Sequence, residues 1–198
     1  DLYMRDSILD SGRVRPTPEA PHPFDASIWA GHWTSEDIKV DAPEPAFQTA
    51  SPADDYVAFA SLKHRTARRD RTNRFYVQVH NRGVRVAHDV RVRGFFAPAS
   101  VGLPPLPADF WTGGRPFTGT PSGPAWTPVG PTVSLGDLAP GEPGVASWSW
   151  LIPLSAPRHS CLLAVATCVE DPITGVGTLD PDALVSNSKH VTLKNLVV

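Results

Sequence analysis

The chain has 198 residues and a net charge of −2, long enough to bury a core and too close to neutral to bind nucleic acid through its overall field. Its 22 prolines and 15 glycines work against long helices and favour short strands joined by extended loops. No apolar run reaches the roughly 18 residues that a membrane-spanning helix needs, so the sequence calls for no membrane span.

Residues 1–52 read as an irregular N-terminal arm, because Pro16, Pro18, Pro21, Pro23, Pro43, Pro45 and Pro52 interrupt every periodic pattern. The arm also carries Trp29, Trp33, Ile38 and Phe47, too many large apolar side chains for a free linker. It is therefore expected to dock on its own domain or on a neighbour, and Asp37-Ile38-Lys39-Val40 alternates like a short strand. Asp6, Asp10 and Gly12 raise the question of a calcium loop. Their spacing departs from Asp-x-Asp-x-Asp-Gly and supplies few ligands, so an Asp-capped turn is the favoured reading. Opening on Asp1 rather than Met, the chain is expected to be trimmed from a longer product, which leaves the compartment open.

Residues 53–198 carry strand signals in order. Tyr56 to Leu62 is the first candidate. Arg74 to His80 follows, with Phe75, Val77 and Val79 on the core side and Tyr76, Gln78 and His80 on the other. Asn81-Arg82-Gly83 ends it with turn chemistry. Ala87 to Ala97 is next, with Val90 and Val92 alternating with arginines. Residues 98–128 form a long Pro/Gly-rich loop that Phe110, Trp111, Phe117 and Trp126 are expected to order by giving it something to bury. Pro131 to Leu138 and Val145 to Leu154 are strands joined at the turn Ala139-Pro140-Gly141-Glu142. Ser160 to Val169 is apolar on both sides and reads as a central strand. A loop over 170–186 leads to the last strand, His190 to Val198. No helix is predicted. Cys161 and Cys168 have an odd separation, which places the sulfurs on opposite faces of a strand, about 23 Å apart at roughly 3.3 Å per residue. They cannot bridge each other, and two buried free thiols are expected.

Seven or so short strands with turns between them predict an all-β fold, an immunoglobulin-like antiparallel β-sandwich with an irregular N-terminal arm and a long Pro/Gly-rich loop. His159-Ser160-Cys161 sharpens this, since a tyrosine two residues before a buried cysteine often ties the corner of such sandwiches. Here His159 holds the tyrosine place. With Phe75 to Gly83, the Trp148/Trp150 strand ending at Pro153, His159-x-Cys161-Leu162-Leu163 and Lys194-Asn195-Leu196-Val197-Val198, the stretch from Tyr56 to Val198 resembles bacterial immunoglobulin-like modules of the cell-adhesion-related (CARDB-like) kind. The resemblance implies a noncatalytic binding or spacer module of a larger bacterial protein. It also implies protein or glycan partners, other domains of the same polypeptide among them, and favours an extracellular or cell-surface setting. Its runner-up is an accessory domain of a secreted hydrolase of the peptidase type.

Candidate chemistry is sparse. The seven histidines form no His-Glu-x-x-His, no Cys-x-x-Cys exists, and no Gly-x-Ser-x-Gly elbow is present. Neither catalysis nor a cofactor or metal is expected, and His80 reads as a surface residue. Ten of the 18 Lys and Arg residues lie in 63–93, against the two acids Asp70 and Asp89. This stretch could draw phosphates, sulfated glycans or acidic proteins, a third reading, although solvated charges paired to Asp54, Asp55 and Asp70 are the simpler one. Nucleic acid is disfavoured because few exposed aromatics accompany the charge. The candidate binding residues are Arg65, Arg68, Arg69 and Arg71 in the basic loop, Arg91 and Arg93 on the outer face of the second sheet near Thr192 and Lys194, and Trp111 and Trp126 in the long loop.

Overall fold

The computed structural model describes residues 1–43, 45–48, 56–173 and 177–198. Its strands are β1 (Leu2–Tyr3), β2 (Ala20–His22), β3 (Asp25–Ala30), β4 (Ile38–Asp41), β5 (Thr72–Asn81), β6 (Ala87–Pro98), β7 (Thr127–Pro128), β8 (Val133–Leu138), β9 (Pro143–Leu151), β10 (His159–Thr167) and β11 (Val191–Val197). Two short helices join them, α1 (Tyr56–Ser61) and α2 (Pro181–Asn187).

All pairings between these strands are antiparallel, in two main sheets and one hairpin. In the first sheet β5 pairs along its length with β9, from Thr72↔Leu151 to His80↔Pro143. Its other edge is shared end to end by β4, from Ile38↔Val77 to Asp41↔Arg74, and by β1 at Leu2↔Asn81 and Tyr3↔His80. In the second sheet the order is β11-β10-β6, and the far edge of β6 is divided between β8 and β7. The chain is an all-β sandwich. The two sheets close over one apolar core in which Phe75, Val77 and Val79 meet Val90, Val92, Phe96, Leu162 and Ala164, as alternation requires. Trp148 lies in the same core with its indole N–H on the Pro131 carbonyl at 2.8 Å.

The strand expected at Tyr56 to Leu62 is instead α1. Phe59 in the helix and Leu62 just past its end, with its amide on the Phe59 carbonyl at 3.2 Å, pack on Tyr76, and Lys39 Nζ donates to the Phe59 and Ala60 carbonyls at the helix end. The loop expected over 170–186 contains α2. The Asp180 carboxylate accepts from the Asp182 and Ala183 amides and Pro181 opens the first turn, an N-cap with proline where its missing N–H costs nothing. The expectation of no helix is thereby corrected. The strand expected to reach Leu154 ends at Leu151.

The first 41 residues contribute β1 and β4 to the first sheet and stitch the domain edge. Asp10 makes the capped turn, accepting from the Asp6 amide at 3.1 Å and the Gly12 amide at 2.6 Å. The Arg5 carbonyl accepts from the Ser35 and Thr192 hydroxyls, and the Thr17 amide reaches Ser186 O. β2 and β3 form a separate hairpin with Phe24 and Trp29 exposed. Cys161 and Cys168 are free, buried and on opposite faces of the second sheet, in separate apolar clusters.

Candidate functional site

The outer face of the second sheet is covered rather than bare. Phe95, Leu163, Val165, Val191 and Leu193 face outward there and are packed by Leu106, Phe110 and Trp126 of the 98–128 loop and by Leu184 and Val185 of α2. Trp126 is 1 % exposed, with its indole N–H on the Pro104 carbonyl at 3.0 Å. It is a packing residue of a second core and presents no surface for a partner. Arg93 shares this fate. Its Nη1 donates to the carbonyls of Pro116 at 2.7 Å and Gly119 at 2.8 Å, so a guanidinium expected on an open face is buried under the loop. Burial lowers its pKa, and the two carbonyls satisfy Nη1 while Nε stays without a partner among the described residues. The expected neighbours Thr192 and Lys194 are also corrected. β10 separates β6 from β11, Val191 and Leu193 hold the covered outer face, and Thr192 turns to the Arg5 carbonyl.

Arg93 therefore pins the segment 116–120 to the sheet. Beside that anchor the loop and the sheet enclose a cleft of about 350 Å³ lined by Arg91 and Thr167 from the strands, Trp111, Arg115, Phe117 and Thr118 from the loop, and Ile173 from the following connection. Arg91 Nε lies 3.2 Å from Asp89 Oδ2, and its guanidinium carbon is 5.7 Å from the Phe117 ring centre. Arg115 Nη1 donates to Thr112 O and its Nε lies 3.4 Å from Asp109 Oδ2. Asp109 is held below the usual carboxylate range by the Ser122 amide and hydroxyl, with Arg115 a smaller cause. Trp111 donates its indole N–H to Thr178 O at 3.3 Å and packs edge-on to Phe110, so the buried core orients it.

Among the predicted residues, Arg91 and Trp111 meet in this cleft. Arg65, Arg68, Arg69 and Arg71 lie apart, in the loop before β5. Buried Asn73 shapes that loop, accepting from the Arg68 amide and donating to the Arg68 and Arg71 carbonyls. Arg65 Nη1 contacts the Ala42 carbonyl and lies 3.5 Å from Asp41, and Arg71 Nη1 donates to Asp70 O. Asp54 and Asp55, the acids expected to pair with this stretch, lie outside the described residues. His80 is half-buried rather than a surface residue, stacked on Tyr3 at 4.9 Å with Nε2 3.1 Å from buried Asp37. The His159 ring makes no hydrogen bond among the described residues and is exposed, so it does not supply the corner tie. Sequence reasoning missed Arg115, Phe117, Thr118 and Thr167 as site residues, although the paired glycines of Gly113-Gly114-Arg115-Pro116-Phe117, both at positive φ, mark a turn there.

Groups suited to nucleophilic chemistry are otherwise engaged. Ser122 Oγ donates to Asp109 Oδ1 at 2.8 Å, and no histidine ring bonds a serine or cysteine side chain among the described residues. Burial pushes the Cys161 thiol up to about 12, leaving it protonated and inert. Among the described residues no group of three or more His, Cys, Asp and Glu side chains could hold a metal ion. A smaller cavity of about 200 Å³ opens at Arg74, Tyr76, Ser147, Trp148 and Ser149 of the first sheet. Its one guanidinium is stacked on the Phe47 ring at 3.9 Å.

The chain is similar to a CARDB domain. The solved counterpart comes from a Pyrococcus furiosus protein in complex with di-metal ions, at 13% identity and a TM-score of 0.37, covering 66% of this chain and 76% of that one. A crustacean hemolymph-type prophenoloxidase is also similar, at 12% identity and a TM-score of 0.33, over 64% of this chain and 24% of that one. No family model matches the chain, and no curated protein does. No helix among the described residues is long and apolar enough to cross a membrane.

Proposed function

We propose that this domain is a noncatalytic binding module that engages an acidic ligand at the cleft between the 98–128 loop and the second sheet. The single observation that supports this is the convergence of two arginines and two aromatics, Arg91, Arg115, Trp111 and Phe117, on one open cavity beside a buried core. Two guanidiniums beside aromatic surface offer one anion charge and apolar contact together, which separate arginines along a loop do not. A rigid base under the cleft lowers the ordering cost of binding. The module acts within a larger bacterial protein, through glycan or protein contacts.

Retention on immobilised heparin, a general polyanion, tests where the anion site is. The Arg91→Ala/Arg115→Ala pair is expected to elute at clearly lower salt than the parent, with a shallower salt dependence. The Arg68→Ala/Arg69→Ala/Arg71→Ala triple is expected to change elution less. The reverse order would move the site to the basic loop, and a parent protein that is not retained would overturn the reading.

A further inference from the structure

Resting on that reading, we infer that the ligand of the cleft is a uronic-acid residue of an acidic polysaccharide. The volume is at the small end of the range for ligand pockets, ~300–1,000 Å³, room for one or two pyranose rings. The lining matches such a ring group by group. The Trp111 N–H is already engaged by Thr178 O, so the indole offers the cleft carbon surface rather than a donor, and Phe117 can offer nothing else. Apolar ring faces suit the C–H faces of a pyranose.

The two hydroxyls divide their roles. Thr118 Oγ1 donates to the Gly113 carbonyl at 3.3 Å, leaving its lone pairs free to accept. Thr167 Oγ1 accepts from the Ile173 amide at 3.2 Å, leaving its proton free to donate. Sugar hydroxyls, which both donate and accept, satisfy this pair. The close fit extends to Gly114, where a Cβ would fall 2.4 Å from Thr118 Oγ1 at a backbone φ of 79°. A side chain there would displace the acceptor. The remaining groups are the guanidiniums of Arg91 and Arg115, whose Nε atoms face Asp89 and Asp109 and whose outer nitrogens, Nη1 and Nη2 of Arg91 and Nη2 of Arg115, are the donors suited to a carboxylate. An acidic peptide would use the arginines and could reach the threonines through its backbone, but a glutamate chain has no ring face to lay on Trp111 and Phe117. A bare sulfate would use the arginines and leave the aromatic faces idle.

Calorimetric or NMR titration of the whole domain with trigalacturonate, neutral galactotriose, poly-L-glutamate and dextran sulfate tests this. Saturable binding of trigalacturonate is expected, with the neutral sugar weaker by at least about tenfold, the weight of one charge-assisted contact. Arg115→Gln and Thr118→Val should each weaken trigalacturonate by roughly three- to tenfold. Thr118 is exposed, so Thr118→Val is expected to fold, and its melting temperature serves as the control. Equal or tighter binding of poly-L-glutamate or dextran sulfate, or no response to trigalacturonate, overturns the assignment. Heparin retention that still depends on Arg91 and Arg115 in that case would leave the acidic-ligand reading standing and remove only the sugar.

Discussion

The outer face of β10 carries Leu163 and Val165 beneath the long loop and α2, whereas the outer face of β5 carries Arg74, Tyr76, Gln78 and His80, with α1 packed over part of it. Both sheets bury their inner faces in one core, so the difference lies in what covers the back. Behind the second sheet the cover is apolar and continuous, with Phe110 fully buried and 5.1 Å from Phe95. Behind the first it is a six-residue helix over polar side chains. A loop that encloses its own core can hold a cleft at fixed geometry, and the candidate site lies where the cover is thick.

The largest expected effect tests the thick cover. Phe110→Ala and Trp126→Ala should each cost ~3–5 kcal/mol in urea unfolding, the range for deleting a buried aromatic side chain. The midpoint should fall with the m-value unchanged, because the loop unfolds with the domain. A loss under about 1 kcal/mol, or a separate early transition, would show that the loop is a loose flap and would dissolve the contrast between the two faces.

The next effect compares two buried carboxylates along the edge where residues 1–42 meet both sheets. Asp6, on the second-sheet side beside Thr17 with its hydroxyl at 2.8 Å, is pushed up to about 8, chiefly by burial and also by Asp10. Asp37, on the first-sheet side, is fully buried, yet the hydrogen bonds and charges of His80 and Arg5 outweigh that burial and hold it below the ordinary carboxylate range. The signs are opposite. Folded Asp6 keeps a proton that the unfolded chain releases near pH 4, so its contribution is full below that and is lost as pH rises towards 8. Asp37 contributes at neutral pH and loses that contribution as pH falls below about 4. Asp6→Asn is therefore expected to stabilise the domain by about 2 kcal/mol at pH 8 and to flatten the decline between pH 5 and pH 8 in urea titrations. A parallel decline in both proteins would show that Asp6 is ionised and partnered.

Much of the sandwich could be read directly. Strict alternation at Phe75, Val77 and Val79 and at Val90 and Val92, and two-sided apolarity from Cys161 to Cys168, require half-buried and central strands and nothing else. Alternation specifies which side a residue faces, not what lies on that side. That is why Arg93 and Trp126 read as partner contacts and are buried under the protein's own loop. A six-residue helix such as α1 leaves no periodic signal, and its helicity comes from packing on Tyr76. α2 was legible in Asp180-Pro181-Asp182 as a capped start, and the strand count hid it. The cleft draws on positions 91, 111–118 and 167, joined only when the loop folds back over β6 and β10, so spacing alone could not announce it.

The smallest expected effect probes the thin cover. Gln78 is fully buried, opposite Val145 of β9, and neither its Oε1 nor its Nε2 has a hydrogen-bond partner among the described residues. Its backbone amide already donates to Asp37 O at 2.9 Å, so the strand does not need the side chain for pairing. An amide held out of water without partners costs roughly 1–3 kcal/mol, whereas methionine of similar length and shape has no such debt and can flex into the gap. Gln78→Met should therefore stabilise the domain by about 1 kcal/mol, read as a higher urea midpoint. The same change at a well-bonded buried amide would do the opposite, as Asn73→Leu should, since Asn73 makes three hydrogen bonds to the 68–71 loop. If Gln78→Met destabilises as Asn73→Leu does, the outer face of β5 is as fully satisfied as that of β10, and the two covers differ in chemistry but not in quality.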